Sequence, residues 1–249
     1  NGANGVYRTT VPASGCPASW TTISRPDNGW PAGSALGTPL PGNPLGRIDI
    51  AGSPSDPNVI YAEVAAPNSA SPTILGIWRS NDGGDTWTQP QIGDVSGAGT
   101  QSWYNAGMLV HPTDPNIVIL SAFRTFRSTS GGNGFVSMGS APHVDHHARG
   151  WVNNDPNRLL IGTDGGVYAT VFDAANASWG AIDRIGGAAT TTPASPAVTA
   201  GVCAHSAELV FIDAADSAVK HASLDAGTWG AAAAVGGTAT KGVAIARSP

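Results

Sequence analysis

Charge is scarce in this chain, and that scarcity removes whole classes of function. Only 12% of the 249 residues are Asp, Glu, Lys or Arg, the formal charge is −5, and Lys occurs only at Lys220 and Lys241. With no basic cluster, neither nucleic acid nor an anionic membrane surface is a suitable partner, whereas a neutral or cationic ligand is easier to accommodate. Long apolar runs are also missing. The longest stretches, such as "IVILSAF" at 117–123, fall far short of the ~20 residues that cross a bilayer as a helix, so no membrane insertion is expected. Cysteine is limited to Cys16 and Cys203, which form one intramolecular disulfide or pack as two separate thiols. No extended segment shows helical periodicity.

What is abundant points the other way. Gly 33 and Pro 19, with Val, Ile, Thr and Trp in short bursts, suit many short strands joined by tight turns, an all-β chain. The sequence begins at Asn1 and is poor in Lys; it is expected to be the mature or trimmed form of a secreted, extracellular protein.

Two repeats organise the chain. Aromatic-ended hairpins recur at 6–20, 77–87, 125–135, 167–179 and 219–229, each running from an apolar strand through a turn of Gly, Asp, Asn, Ser or Pro to Trp or Phe. Their spacing is that of one four-stranded propeller blade. Asp-Pro-Asn precedes a strand in "SPSDPNVIYAEV" (53–64), "HPTDPNIVILSA" (111–122) and "NNDPNRLLIGTD" (153–164). Pro fixes φ, and Asp and Asn bond nearby backbone, so the tripeptide reads as the turn between two strands. Past residue 180 the chain becomes Ala- and Thr-rich and lacks Asp-Pro-Asn, while Trp179 and Trp229 begin matching "WGA…GG" segments. Residues 25–46, rich in Pro and Gly, read as a long surface loop.

The most specific stretch is Ser80-Asn81-Asp82-Gly83-Gly84-Asp85-Thr86-Trp87. It resembles the Asp-box, the repeat of sialidases, xyloglucan-cleaving glycosidases, sortilin-type receptors and photosystem-assembly propellers. The residues 128–135, "STSGGNGF", resemble a degenerate copy with Ser130 in the Asp position, and 180–249 resembles tectonin-like and fucose-binding propeller lectins. In those families the box lies on an outer hairpin away from the catalytic centre. The residues agree: Ser80 and Asp82 can bond turn backbone, Gly83 and Gly84 tolerate positive φ and Trp87 can cover the hairpin base, so no ligand is required. The resemblance implies a β-propeller of four-stranded blades spanning 1–249. Five blades fit the hairpin count, six or seven if the chain is a piece of a longer one. Blades of the Asp-box type occupy 1–179, with a sub-boundary near 180 and a lectin-like blade with ring closure beyond it; the first and last strands are expected to pair.

Chemistry concentrates in His143-Val144-Asp145-His146-His147. In an extended strand His143, Asp145 and His147 share one face and His146 takes the other, so the three could hold a divalent metal, contact a sugar or form a structural polar network. Same-face neighbours ~7 Å apart sit awkwardly for one ion. Glycoside hydrolysis needs two carboxylates across the scissile bond, and the candidates are Asp49, Asp145 and Asp164. No pair among them is identifiable from sequence. The sialidase resemblance breaks at Arg47-Ile48-Asp49, where Arg-Ile-Pro would stand, and the xyloglucanases resemble two full propellers. No motif points to a cofactor. Trp103, Tyr104, Trp151 and Trp30 lie outside the hairpin-anchor positions, and their flat faces could stack on sugar rings. The sequence therefore reads first as a non-catalytic glycan-binding propeller using Trp103, Tyr104, His143, Asp145, His147 and Trp151. A glycoside hydrolase is the alternative, and a protein-interaction propeller the second.

Overall fold

The computed structural model describes residues 5–15, 19–30, 45–67, 73–139, 143–173, 178–179, 183–184, 197–200, 207–212, 217–225 and 228–238. Cys16 and Cys203 lie outside the described residues, as does 31–44, most of the expected long loop. Two units, 1–137 and 138–249, each carry consecutive antiparallel meanders.

The first unit opens with a hairpin, β1 (Tyr7–Arg8) and β2 (Thr21–Thr22). A three-stranded sheet follows in the order β3 (Ile48–Gly52), β4 (Ile60–Ala65), β5 (Ile74–Ser80). Next comes a four-stranded one: β6 (Gly107–Val110), β7 (Val118–Ser121), β8 (Thr125–Ser128), β9 (Val136–Ser137). In the second unit β10 (His146–Trp151), β11 (Arg158–Thr163), β12 (Gly166–Asp173) and β13 (Ser178–Trp179) form one meander, with β14 (Asp183–Arg184) also on β12. The other comprises β15 (Ala197–Ala200), β16 (Ala207–Ile212), β17 (Ala218–Asp225) and β18 (Thr228–Trp229), with β19 (Ala233–Thr238) also on β17. Among the described residues β1 pairs with β2 and β19 with β17; the expected pairing of first with last strand is not among them. No described helix is long and apolar enough to cross a membrane.

The core of the first unit follows from strand alternation. On one face of its three-stranded sheet Tyr61 and Ile77 join Met108, Val118, Leu120 and Phe126. The other face offers Ala62, Val64 and Trp78 to Val6, Ile23, Trp30 and Trp87. A middle strand covered on both sides has no solvent face, which is why β4 reads as a nearly continuous apolar run. Trp30 is only 2% exposed and packs its ring on Trp78 and Trp87 at centroid distances of 5.4 and 5.1 Å. It is a core residue, contrary to the surface role expected from its Pro/Gly-rich surroundings.

Turns repeat as closely as strands. In each Asp-Pro-Asn the Asp carboxylate accepts the Asn backbone N–H, at 3.0 Å in 56–58, 2.8 Å in 114–116 and 2.9 Å in 155–157. Each links the first and second strands of its sheet, as the sequence implied. The stretch 80–87 closes the hairpin after β5. Ser80 Oγ accepts the N–H groups of Asp82 and Gly84 and donates to Asp82 Oδ1 at 2.7 Å, while Asp82 accepts Thr86 N–H at 2.8 Å and Thr86 Oγ1–H at 2.6 Å. Gly83 and Gly84 take φ of 71° and 98°, and Gly131 and Gly132 of the degenerate copy take 68° and 91°. There Ser128 Oγ accepts from Ser130 and Gly132 as Ser80 does from Asp82 and Gly84. Both turns dock on the preceding Asp-Pro-Asn: Gly83 N–H donates to the Asn58 carbonyl at 2.8 Å, and Gly131 N–H to that of Asn116 at 2.9 Å. Trp87 is buried and donates its indole N–H to the Ile23 carbonyl at 2.7 Å.

The Thr86 hydroxyl and then the Thr86 backbone N–H hold the Asp82 carboxyl down to about 2. A depressed carboxylate pKa stabilises the fold above the unfolded value near 4 and loses that contribution as pH falls toward 2. Asp82→Ala is expected to lower Tm by roughly 2–4 °C at pH 7, the shift of a ~1 kcal/mol loss in a chain of this size. In thermal melts from pH 7 to 2 the gap between wild type and variant should close below pH 4.

Candidate functional site

Among the described residues, chemistry-bearing side chains cluster at one place in each unit. In the first, a single helical turn, Ser102–Asn105, precedes β6 and presents Trp103 and Tyr104 to solvent at 44% and 57% exposure. Their rings lie 5.7 Å apart, tilted by 48°. The turn is fixed from below: Ser102 N–H donates to Thr73 Oγ1 at 2.9 Å, and Arg47 donates to the Tyr104 carbonyl at 2.5 Å. Sequence reasoning missed Arg47 as part of this site. Its signal is the spacing Arg47-x-Asp49, which places both side chains on one side of an extended strand.

Asp49, a carboxylate candidate for catalysis, turns inward to the framework. Its Oδ2 accepts Met108 N–H at 2.8 Å, and its Oδ1 lies 3.8 Å from an Arg47 guanidinium nitrogen. It ties β3 to the start of β6.

In the second unit the segment 143–147 is not one strand. β10 starts at His146, and Asp145 sits at φ 61°, in the left-handed region, so the alternation expected for His143, Asp145 and His147 fails at its middle residue. Each imidazole finds its own partner instead. His143 Nδ1 meets the Val144 carbonyl at 3.0 Å, His146 Nε2 the His143 carbonyl at 2.9 Å and His147 Nε2 the Asp164 carboxylate at 2.8 Å. A carbonyl only accepts, so the first two contacts fix the proton on those nitrogens. Among the described residues no three His, Cys, Asp or Glu side chains are placed to hold a metal.

What the fold does join is Asp145 and Asp164. His146 pairs with Thr163 in the β10–β11 ladder, and Asp164 N–H donates to the Asp145 carbonyl at 3.2 Å. Asp164 and Gly165 make the turn into β12, where the His143 side chain occupies the space a Cβ on Gly165 would need. Burial first, and the nearby Asp164 charge second, push the Asp145 carboxyl up from its ordinary value, against the pull of His147 and His143. Trp151 ends β10, opposite Leu159, at the far end of the strand from His146. It is half-buried and does not join the His143–His147 segment.

His146 is 2% exposed, and burial is the main cause that pulls its imidazole down to about 4. The unfolded imidazole, near 6.5, takes up a proton that the folded one refuses. Stability is therefore lost as pH falls from 6.5 to 4, by roughly 3 kcal/mol at most. His146→Gln keeps a side-chain N–H for the His143 carbonyl and removes the titration. The Tm difference between wild type and this variant should shift in the variant's favour between pH 7 and pH 4, as read by differential scanning calorimetry.

No protein-family model matches the chain, and no curated protein matches it. Among solved structures it is similar to the GH74 xyloglucanase from Xanthomonas campestris, at 17% identity and a TM-score of 0.49 over 73% of this chain and 30% of that one. It is also similar to YCF48 from Cyanidioschyzon merolae, at 20% identity and 0.40 over 77% and 57%. A third likeness is the endo-arabinase from Bacteroides thetaiotaomicron, at 14% identity and 0.37 over 71% and 75%. The chain thus spans less than a third of the length of the xyloglucanase chain. What this chain does rests on its own residues.

Proposed function

We propose that the protein is a secreted, non-catalytic carbohydrate-binding β-propeller whose glycan stacks on Trp103 and Tyr104. One observation carries the reading: two aromatic rings stand exposed side by side on a turn whose backbone is held by Thr73 and Arg47. Large aromatics left in water by a chain that buries Trp30, Trp78 and Trp87 are surplus to its core. Their faces match the C–H face of a sugar ring, and a turn already held in place loses little entropy when a ligand settles on it. The meanders of both units, with Asp-Pro-Asn at the first turn of three described sheets and a glycine-rich third turn at 80–87 and 128–135, support the blade architecture.

Trp103→Ala is expected to weaken binding to the best ligand of a glycan array by at least about tenfold, the loss of a well-packed aromatic contact. Circular dichroism should be unchanged, because the ring is not part of either core cluster. Binding at wild-type affinity in both Trp103→Ala and Tyr104→Ala would remove the platform from the function.

A second reading has its own observation. Asp145, with a raised pKa, and Asp164 come together at one end of β10 and β11. Two carboxyl groups brought to one place, one of them pushed up by burial, are the pairing from which glycoside hydrolysis is built. On that reading Asp145→Asn loses at least about a hundredfold in reducing-end release from polysaccharide and keeps its binding. Absence of release from the wild-type chain across neutral and acidic polysaccharides would eliminate it.

A further inference from the structure

We infer that Asp49 sets the charge preference of the Trp103–Tyr104 platform and keeps it selective for neutral sugars, with Arg47 as its counter-charge and positioning residue. The inference rests on the glycan-binding reading above. Its basis is the way β3 reaches the segment that carries the rings. Arg47 NH1 donates to the Tyr104 carbonyl, and Asp49 Oδ2 accepts the N–H of Met108, so the two side chains hold the two ends of 104–108. Neither anchor is sunk in the core. Their side chains are 43% and 24% exposed, so both charges keep some contact with water, Arg47 at the Tyr104 carbonyl and Asp49 behind it.

Charges so placed act on whatever lies against the rings. A unit charge ~4 Å from another contributes about 1 kcal/mol in bulk water and about 4 kcal/mol at a protein surface. A lone Arg47 would therefore draw a uronate or sialate to the platform. It is not alone: Asp49 Oδ1 lies 3.8 Å from its guanidinium, and two opposite charges that close cancel over the width of a sugar ring. Glu63, opposite Asp49 in the β3–β4 register, is wholly buried and does not meet the ligand face. The platform offers flat aromatic surface next to a paired, mutually cancelling Arg47 and Asp49. A neutral saccharide loses nothing there, whereas a carboxylated one gives up hydration without gaining a counter-ion.

The test separates the charge of Asp49 from its anchoring bond. Asp49→Asn keeps an oxygen for Met108 N–H and removes only the charge. Binding would be measured by titration calorimetry at low and physiological salt with a neutral xylogluco-oligosaccharide, an oligogalacturonate and a glucosamine oligomer. Relative to the neutral oligomer, the variant is expected to gain about fivefold in affinity for the oligogalacturonate, the equivalent of ~1 kcal/mol, more at low salt. Arg47→Gln is the mirror: its uncompensated Asp49 should raise affinity for the protonated glucosamine oligomer relative to the neutral one. That arm carries the test if Asp49→Asn does not fold. Wild-type binding that depends on Trp103, with the oligogalacturonate-to-neutral ratio unmoved by Asp49→Asn and the glucosamine-to-neutral ratio unmoved by Arg47→Gln, overturns this inference and leaves the glycan reading standing. Wild-type protein that takes the oligogalacturonate as tightly as the neutral oligomer also overturns it. Failure to bind any of the three, with a blank glycan array, brings both down together.

Discussion

Backbone donors in tight turns are the constraint on which this structure depends. Strands of two to eight residues mean that much of the chain is turn, and every tight turn strands N–H groups that a strand would have paired. The chain answers with short polar side chains. Ser80, Asp82 and Ser128 satisfy the glycine-rich turns, Asp56, Asp114 and Asp155 the Asp-Pro-Asn turns. Because both kinds of turn in a sheet then bond to each other, through Gly83 to Asn58 and Gly131 to Asn116, the hairpins are held at their ends as well as along their ladders. The sheets can afford to be short for that reason.

Scarce charge follows the same logic. The ionic contacts join side chains near in space to the turns they steady: Arg8 to Asp85 and to the Gly83 carbonyl, Arg25 to Asp27, Arg47 to Asp49, His147 to Asp164. Each has at least one partner well exposed, and exposed pairs contribute little to stability. Their value is positional. Arg8 holds β1 against the glycine turn, where Ile23 and Trp87 complete the seal, and Arg47 holds the aromatic turn before β6.

How much of this was legible in the sequence depended on the range of the interaction that decides each residue. Asp-Pro-Asn and 80–87 are decided within a few residues, and both form turns held by their own side chains. Around Trp30 the Pro- and Gly-rich neighbours say surface loop, while its burial is decided by Trp78 and Trp87 from distant parts of the chain. The partner of Asp49 was not legible because a lone acid does not show which N–H will reach it; Met108 lies 59 positions away. The segment 143–147 failed for a local reason. Two-residue alternation presumes extended backbone, and Asp145, at φ 61°, reverses the direction of the chain in the middle of the pattern.

That reversal explains why two acids the sequence could not pair end up together. Had β10 begun at His143, Asp145 would project from the strand like any alternate residue, and its neighbours would be those of the ladder. With the strand starting at His146, Asp145 instead lies on the approach to the strand, where its carbonyl takes the N–H of Asp164 from the β11–β12 turn. Gly165 is required at that turn because the His143 ring occupies the space a Cβ would need. One left-handed residue and one absent side chain thus bring a partly desolvated carboxyl beside an imidazole–carboxylate pair. Asn tolerates the left-handed region as Asp does, so Asp145→Asn removes the charge at this site without disturbing the backbone that creates it.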